Sequence, residues 1–359
     1  MVTSTPWQRA TSIATVFLAL AAGGVVLHQL SGILIPFVLA GFLSILLKPL
    51  VQRLRSVHVP LPIALIFVMC IAAGAVWLVY VILALGVDSF NARSDFYSVQ
   101  LKIALNGLER TLGSVLRTVG SKTTFRLDKV LTPEVATGFA TNQVTALLSI
   151  VSDGVMVLLY VLFMLGGSEG FPLKIRSAFN FSRGEQVLAI FDTLNNRVRR
   201  YLLMKTLFNL ANGVIAWMVL ESFGVDFAPS IGLLTFLFHY IPNVGSIITT
   251  LIPSLVFLLQ TGNPGQAAGL AVILIVIQNV IGNVIEPKVI GDRLELSPVV
   301  VLFSLLFWGW MWGIVGMILS VPIMSMLKAL LESVPSARPF AVLMGSSPAV
   351  SSADDRNEE

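Results

Sequence analysis

The chain has 359 residues, of which 56% are hydrophobic and only 12% are charged, and its formal net charge is +4. Soluble domains carry about 25% charged residues, so this composition excludes an ordinary soluble protein. The basic residues stand beside apolar segments, as the positive-inside rule expects of a membrane protein, and form no patch suited to nucleic acid. We therefore expect an all-α, polytopic protein whose main partner is the lipid bilayer and which binds no nucleic acid.

Long uncharged runs predict the membrane-spanning helices. A bilayer is crossed by about 20 helical residues, and each of four runs without Asp, Glu, Lys or Arg reaches that length: Ala10–Leu47, Leu61–Val87, Phe227–Ile285 and Leu296–Leu327. The first run is long enough for two crossings, with a turn in the His28–Gly32 stretch. Residues 1–87 are thus predicted to form three transmembrane helices. The basic residues around them place the N-terminus and the loop after residue 47 in the cytoplasm.

Residues 88–143 are the first sizeable polar region and are predicted to form a small extracytoplasmic helical insert. An amphipathic seam with alternating spacings of four and three indicates a helix packed on a neighbour: Leu101, Leu105, Leu108, Leu112, Val115 and Val119. The next crossing is predicted over residues 144–167 and carries Asp153 near its middle. A carboxylate there is either a proton or cation relay, or an acid packed structurally between helices.

The remaining chain divides into a basic cytoplasmic helical segment over residues 168–200, a transmembrane core over 201–330 and a disordered tail over 331–359. Within the core, helix breakers interrupt an apolar run at Pro242, Asn243, Gly245 and Pro253. Such breaks persist in a membrane only where protein or a water-filled cavity satisfies the freed backbone groups. The run is either one kinked span or a re-entrant hairpin, and the break is either a simple kink or part of a substrate site.

Polar side chains continue along the next apolar run at Gln278, Asn279 and Asn283. They either bond to a neighbouring helix or coordinate a polar substrate or cation. The charged stretch that follows is interpreted as a gate or vestibule, or else as an interfacial turn in which Glu286 is neutralised by Lys288 and Asp292 by Arg293. The final span is predicted over Pro298–Leu327, with Gly309 and Gly313 spaced for close helix packing.

The sequence lacks the motifs of several other classes of protein. No phosphate-binding loop is present, which argues against direct use of ATP. The spans contain no Ser–His or paired-Asp constellation, and the three histidines lack metal-ligand spacing. We therefore expect no enzyme, no cofactor and no metal site. A secondary transporter is the leading hypothesis, with Asp153, Glu286 and Asp292 as candidates for coupling; a passive pore at an oligomer axis and a membrane scaffold are the alternatives.

Two ordered motifs in the second half resemble the autoinducer-2 exporter (AI-2E) family. The first is Ile241–Pro253, and the second is Asn283–Met324, with the spaced positions Pro287, Gly291, Leu294, Leu296, Pro298, Gly313, Gly316 and Pro322. The resemblance implies about eight spans in the inner (plasma) membrane, both termini in the cytoplasm, and homo-oligomeric assembly such as a pentamer. It also implies glycine-mediated helix packing that includes Gly316. Members of the family are associated with export of autoinducer-2, and others with exchange of Na⁺ or Li⁺ for protons.

Overall fold

The computed structural model describes residues 6–118, 153–290 and 296–346. Within these ranges the chain is helical, apart from an isolated antiparallel bridge between Leu296 and Gly345. Six of the described helices are long and apolar enough to cross a membrane, or up to seven if one bent pair counts as a span. The all-α, multi-pass class is thereby confirmed, while eight crossings stay a prediction.

The first four helices follow one another closely. They are α1 Pro6–Gln29, α2 Ser31–Ser56, α3 Leu61–Ala92 and α4 Ser94–Thr118. The turn between α1 and α2 lies at Leu30, inside the predicted His28–Gly32 stretch. Helix α4 carries most of the predicted amphipathic seam. The rest of the predicted insert and the start of the crossing predicted from residue 144 lie outside the described residues.

The middle of the chain contains a bend and then a long helix. Helix α5, Gly154–Gly167, is followed by α6, Phe171–Ala178, at an angle of 62°. Helix α7 then runs from Phe181 to Ser222. It includes both the basic segment and the first part of the predicted transmembrane core.

The run that starts at Phe227 folds as a helical hairpin, not as one kinked span. Its arms are α8, Ala228–Phe238, and α9, Val244–Thr261. The start of α8 packs with Phe257 near the end of α9 in one apolar core, so the arms are antiparallel. The first arm has 11 residues, about 16 Å of helix, which is too short to cross a bilayer.

Helix α10, Pro264–Asn279, begins with a regular cap, because the Asn263 side chain accepts hydrogen bonds from the backbone N–H groups of Gly265 and Gln266. It leads into a π-helix over Val280–Ile285 and a short helix α11, Glu286–Ile290. π-helical turns are rare and occur often at functional sites. Residues 291–295, which contain Asp292, lie outside the described residues.

The last long helix, α12 Pro298–Ser333, doubles back at Gly313, where φ is 63°. The Ser304 hydroxyl donates to the Ser320 carbonyl over 3.1 Å, although 16 residues of straight helix would separate them by about 24 Å. The predicted single span over Pro298–Leu327 is therefore wrong, because the helix folds back into two arms. Gly309 lies between the arms, against Met317, whereas Gly313 forms the turn. A short helix α13, Arg338–Leu343, follows.

Contacts divide the chain into two compact units, each built from separate segments. One unit comprises Met1–Leu65, Met156–Leu202 and Arg293–Glu359, and the other comprises Ile66–Val155 and Leu203–Asp292. The second unit contains the hairpin, the π-helix and most of the polar residues predicted to line a transport path. The candidate site therefore lies in this unit.

Candidate transport site

A nearly buried ion pair marks one end of the site. The Lys205 ammonium on α7 lies 2.8 Å from the Glu286 carboxylate on α11, and the two side chains are only 15% and 18% exposed. The predicted neutralisation of Glu286 by Lys288 is wrong, because residues two apart on a helix do not face each other; Lys288 is exposed instead. The two opposite charges cancel, and the ion pair joins α7 to α11.

Polar groups of α7 and the hairpin turn surround this ion pair. The hydroxyls of Thr206 and Tyr240 are 2.7 Å apart. The amide of Asn209 is fully buried. Oriented to satisfy its neighbours, it donates to the Lys205 carbonyl and accepts from the Tyr240 backbone N–H, each over 3.2 Å. The turn of the hairpin is thus tied to the same part of α7 that carries Lys205.

Further along α7 from Lys205, buried polar side chains of α7, α8, α9 and α10 lie at a similar height along the helix axes. The contacts Thr206–Tyr240 and Gly213–Gly232 set the register of α7 against α8. Lys205–Glu286 sets α7 against the end of the α10–α11 segment. By these registers and by the Thr250–Gln278 hydrogen bond, one layer contains Asn212, Thr235, Thr249, Thr250 and Gln278. We refer to these five residues as the polar layer.

Two atoms of the polar layer lack a partner among residues 6–118, 153–290 and 296–346. They are the Asn212 carbonyl oxygen, an acceptor, and the Gln278 amide nitrogen, a donor. The two residues are 2% and 6% exposed. A buried polar atom without a hydrogen bond costs about 1–3 kcal/mol, so such atoms normally meet water or a ligand.

An apolar cluster lies on the other side of the polar layer. It is formed by α7, α8, α9 and α10 and by the loop before α8, through Ala216, Leu220, Val225, Ala228, Ile231, Phe257, Ala267, Leu270 and Leu274. Leu220 and Leu270 are fully buried. We refer to these nine residues as the apolar plug, because they offer no side-chain polar group to a solute that has reached the layer.

Beyond the apolar plug, a polar cluster joins α4 to the loop between α7 and α8. The Asp226 carboxylate accepts from Tyr97 over 2.7 Å and from Arg93. The Gln260 side chain accepts from the Asp226 backbone N–H over 3.1 Å and donates to the Gly224 carbonyl over 2.8 Å. Burial is the larger cause that raises the pKa of Tyr97 above its ordinary value, and the hydrogen bond to Asp226 raises it further. We refer to this cluster as the Asp226 latch.

The structure places the predicted helix breakers at the hairpin. Pro242 and Asn243 form its turn, and Asn243 has φ 60°. Gly245 begins the second arm so close to the first that a β-carbon there would stand 2.0 Å from the Phe238 carbonyl oxygen. Pro253 is fully buried within α9. These residues shape the hairpin, and the hairpin in turn places Tyr240 beside Thr206.

The other predicted site residues separate into different environments. Gln278 lies in the polar layer, whereas Asn279 and Asn283 are exposed and bond to each other over 2.7 Å. Pro287 is exposed on α11. Asp153 is exposed in the turn before α5 and has no ion-pair or hydrogen-bond partner among the described residues. Among the predicted residues that the structure describes, which exclude Asp292, Glu286 and Gln278 are therefore the two that carry polar side chains into the candidate site.

Sequence reasoning missed the polar stripe of α7. Lys205, Asn209 and Asn212 are spaced by four and three, which places them on one helix face. The spacing was visible in the sequence as a polar stripe in an otherwise apolar stretch. Tyr240 lies among the helix breakers of the Phe227–Ile285 run, and no spacing in the sequence distinguishes it as a polar partner of α7.

A multi-pass helical membrane protein with a broken-helix hairpin and a buried polar site has the architecture of a membrane transport protein. Comparison with known proteins agrees with this class. Residues 15–336 match the family model of the AI-2E family transporters, and the chain belongs to this family.

Its relatives are similar over most of their length. The AI-2 transport protein TqsA of Escherichia coli K12 is 34% identical over 313 residues, which cover 87% of this chain and 89% of the relative. The protein named "Putative transport protein YhhT" from the same strain is 32% identical over 322 residues, covering 89% and 90%. A protein named "Putative transport protein" from Haemophilus influenzae is 35% identical over 323 residues, covering 87% and 90%.

Proposed function

We propose that this protein is a secondary transporter that exports a small polar solute in exchange for protons, with Glu286 as the coupling carboxylate. Autoinducer-2 is the first cargo to test, because a relative of similar length is named for its transport. The observation that carries the proposal is the Lys205–Glu286 ion pair, since it is largely shielded from water and lies beside a helix break.

The pair can change its net charge by one proton. While Glu286 is ionised, the Lys205 ammonium neutralises it at 2.8 Å. A proton on Glu286 would remove that attraction and leave the lysine to seek other partners, such as the carbonyls near the hairpin turn. A charge change coupled to rearrangement of polar contacts is what proton-driven transport requires of its site.

Exchange of Na⁺ or Li⁺ for protons is the second candidate function. It is favoured by the same carboxylate, because a cation at Glu286 could replace the ammonium of Lys205. Carboxylate oxygens suit hard cations. A passive pore is the alternative that either form of coupled transport must be distinguished from.

The orientation that we propose follows from the basic residues of the first unit. Arg55 at the end of α2 lies 3.3 Å from Glu169, just after α5, which supports a common membrane side for these two helix ends. Arg197 contacts Glu332 near the end of α12. With the positive-inside rule, this side is cytoplasmic, in the inner (plasma) membrane. Homo-oligomeric assembly, such as a pentamer, is part of the same proposal.

The test uses purified full-length protein in proteoliposomes with autoinducer-2 at equal concentration on both sides. A pH difference of one unit stores about 1.4 kcal/mol per proton, so one-proton coupling sustains about tenfold accumulation of the solute. We expect wild-type protein to accumulate autoinducer-2, measured by mass spectrometry. Glu286→Gln is expected to abolish accumulation while retaining exchange of labelled for unlabelled solute at equal pH.

Three controls separate the alternatives. Empty liposomes and a protonophore define the background. A second set of vesicles receives Na⁺ or Li⁺ outside an acid interior containing a pH-sensitive dye, and dissipation of the gradient that Glu286→Gln stops would establish cation exchange. Labelled solute that crosses the membrane in wild-type vesicles without ever accumulating under the pH gradient would establish a passive pore and overturn the proposal.

A further inference from the structure

The two unpartnered atoms of the polar layer are chemically complementary. Asn212 contributes a carbonyl oxygen that accepts, and Gln278 contributes an amide nitrogen that donates. The rest of each side chain is engaged, because the Asn212 amide nitrogen donates to the Phe208 carbonyl over 3.2 Å and the Gln278 oxygen accepts from Thr250 over 3.3 Å. The amides are thereby held in orientation, and their free atoms are left for a third group.

The remaining members of the polar layer do not compete for this role. The Thr235 hydroxyl donates to the Ile231 carbonyl over 2.9 Å. The Thr249 hydroxyl donates to the Gly245 carbonyl, also over 2.9 Å. These hydroxyls bond within their own helices, as threonine does in membrane helices. The demand for a partner is therefore concentrated on Asn212 and Gln278.

We infer that Asn212 and Gln278 are the solute-binding residues of the transporter and take a hydroxyl group of an uncharged solute. The hydroxyl donates its proton to the Asn212 oxygen and accepts from the Gln278 nitrogen. A bare cation is a poor match for this pair, because the Gln278 NH₂ group carries positive hydrogens and no acceptor. This inference rests on the proposed function, since it names the binding residues of the same site.

The position of the layer supports a binding step at this depth. The Lys205–Glu286 pair stands on one side of it and the apolar plug on the other. A polar solute that passes the charged pair finds hydrogen-bond partners at the layer and none on the side chains of the plug. Coupling and binding are then carried by different residues within one unit.

The test measures binding to full-length protein in nanodiscs at a single pH, so that it does not depend on coupling. The probes are autoinducer-2, ribose and glycerol as uncharged hydroxyl compounds, with Na⁺ as the cationic comparison. The near-isosteric variants Asn212→Leu and Gln278→Met are each expected to raise the dissociation constant of a bound hydroxyl probe at least tenfold, which is about 1.4 kcal/mol. Asn279→Leu removes a neighbouring but exposed amide and is expected to change it less than threefold.

A second measurement separates binding from a structural role. Each near-isosteric variant removes one unsatisfied buried atom and one made hydrogen bond, to the Phe208 carbonyl or from Thr250. Because the two effects oppose each other, its melting temperature in the absence of probe should stay close to that of wild type. Lower melting temperatures for both variants would overturn the inference, as would unchanged affinity in Gln278→Met; the proposed transport could then still hold. Binding of none of the hydroxyl probes to wild type would overturn both the named cargo and this pair. Loss of coupling in Glu286→Gln with intact binding would leave the inference standing.

Discussion

The Lys205–Glu286 ion pair gives the sharpest prediction about stability. At 2.8 Å, two unit charges attract by about 6 kcal/mol at an effective dielectric constant of about 20. Much of this is offset by the water that both groups lost on burial. Removal of one partner from a fully buried pair costs about 3–5 kcal/mol. Because both side chains keep some exposure, we expect about 2 kcal/mol from Lys205→Met or Glu286→Gln alone.

The double variant should be less damaging than the sum of the two, because no unpaired charge is left. We expect a loss of about 1 kcal/mol, and therefore an interaction energy of about 3 kcal/mol in magnitude. The assay measures the free energy of reversible unfolding of the protein in detergent micelles, with the fluorescence of the six tryptophans as the signal. Lys288→Met is the matched control, since that lysine is exposed and should cost less than about 0.5 kcal/mol. Additive losses from the two single variants, or an equal loss from the control, would refute the reasoning.

Three further predictions concern the hairpins and the latch. Gly316→Ala places a β-carbon 1.9 Å from the Trp308 carbonyl oxygen, so it should lower the free energy of unfolding by about 3 kcal/mol. The control Gly269→Ala meets no atom within 4 Å. In the same unfolding assay it should be neutral or stabilising by up to about 1 kcal/mol. Tyr97→Phe removes a hydrogen bond to a carboxylate and should cost about 1.5–3 kcal/mol of stability. Arg93→Gln should cost about 1 kcal/mol or less, because the Arg93 side chain is 57% exposed. A larger loss from Arg93→Gln than from Tyr97→Phe would contradict the account of the Asp226 latch. Because the pKa of Tyr97 is raised in the folded protein, its contribution is fully present below its unfolded pKa of about 10 and is lost as pH rises further. Wild type should therefore lose more stability than Tyr97→Phe above pH 10, and parallel pH profiles would rule this out.

Composition and periodicity were sufficient for the class of fold and for many helix positions. Uncharged runs predicted membrane helices, and Leu30 turns the chain where the His28–Gly32 stretch suggested. The breakers at Pro242 and Gly245 located the hairpin turn without deciding its form. That decision depends on contacts between residues far apart in sequence, such as Ala228 with the end of α9, which hydropathy does not encode.

The candidate site was only partly predictable for a similar reason. Glu286 and Gln278 were recognised as polar residues in apolar surroundings, but their partners were not. Lys205 lies 81 residues from Glu286 in the chain, whereas Lys288 is the nearest basic residue in sequence. The polar layer arises from the register of separate helices. Register depends on packing, such as that of Gly213 against Gly232, and no single segment contains that information.

The fold-back of α12 at Gly313 changes how the membrane topology should be counted. A hairpin returns the chain to the side from which it came, whether its arms cross the bilayer fully or in part. An apolar stretch counted as one span, Pro298–Ser333, therefore contributes an even number of crossings. Reporter domains fused just before residue 298 and just after residue 333 should then signal from the same compartment. A count that treats this stretch as one span places the residues after it on the wrong side of the membrane.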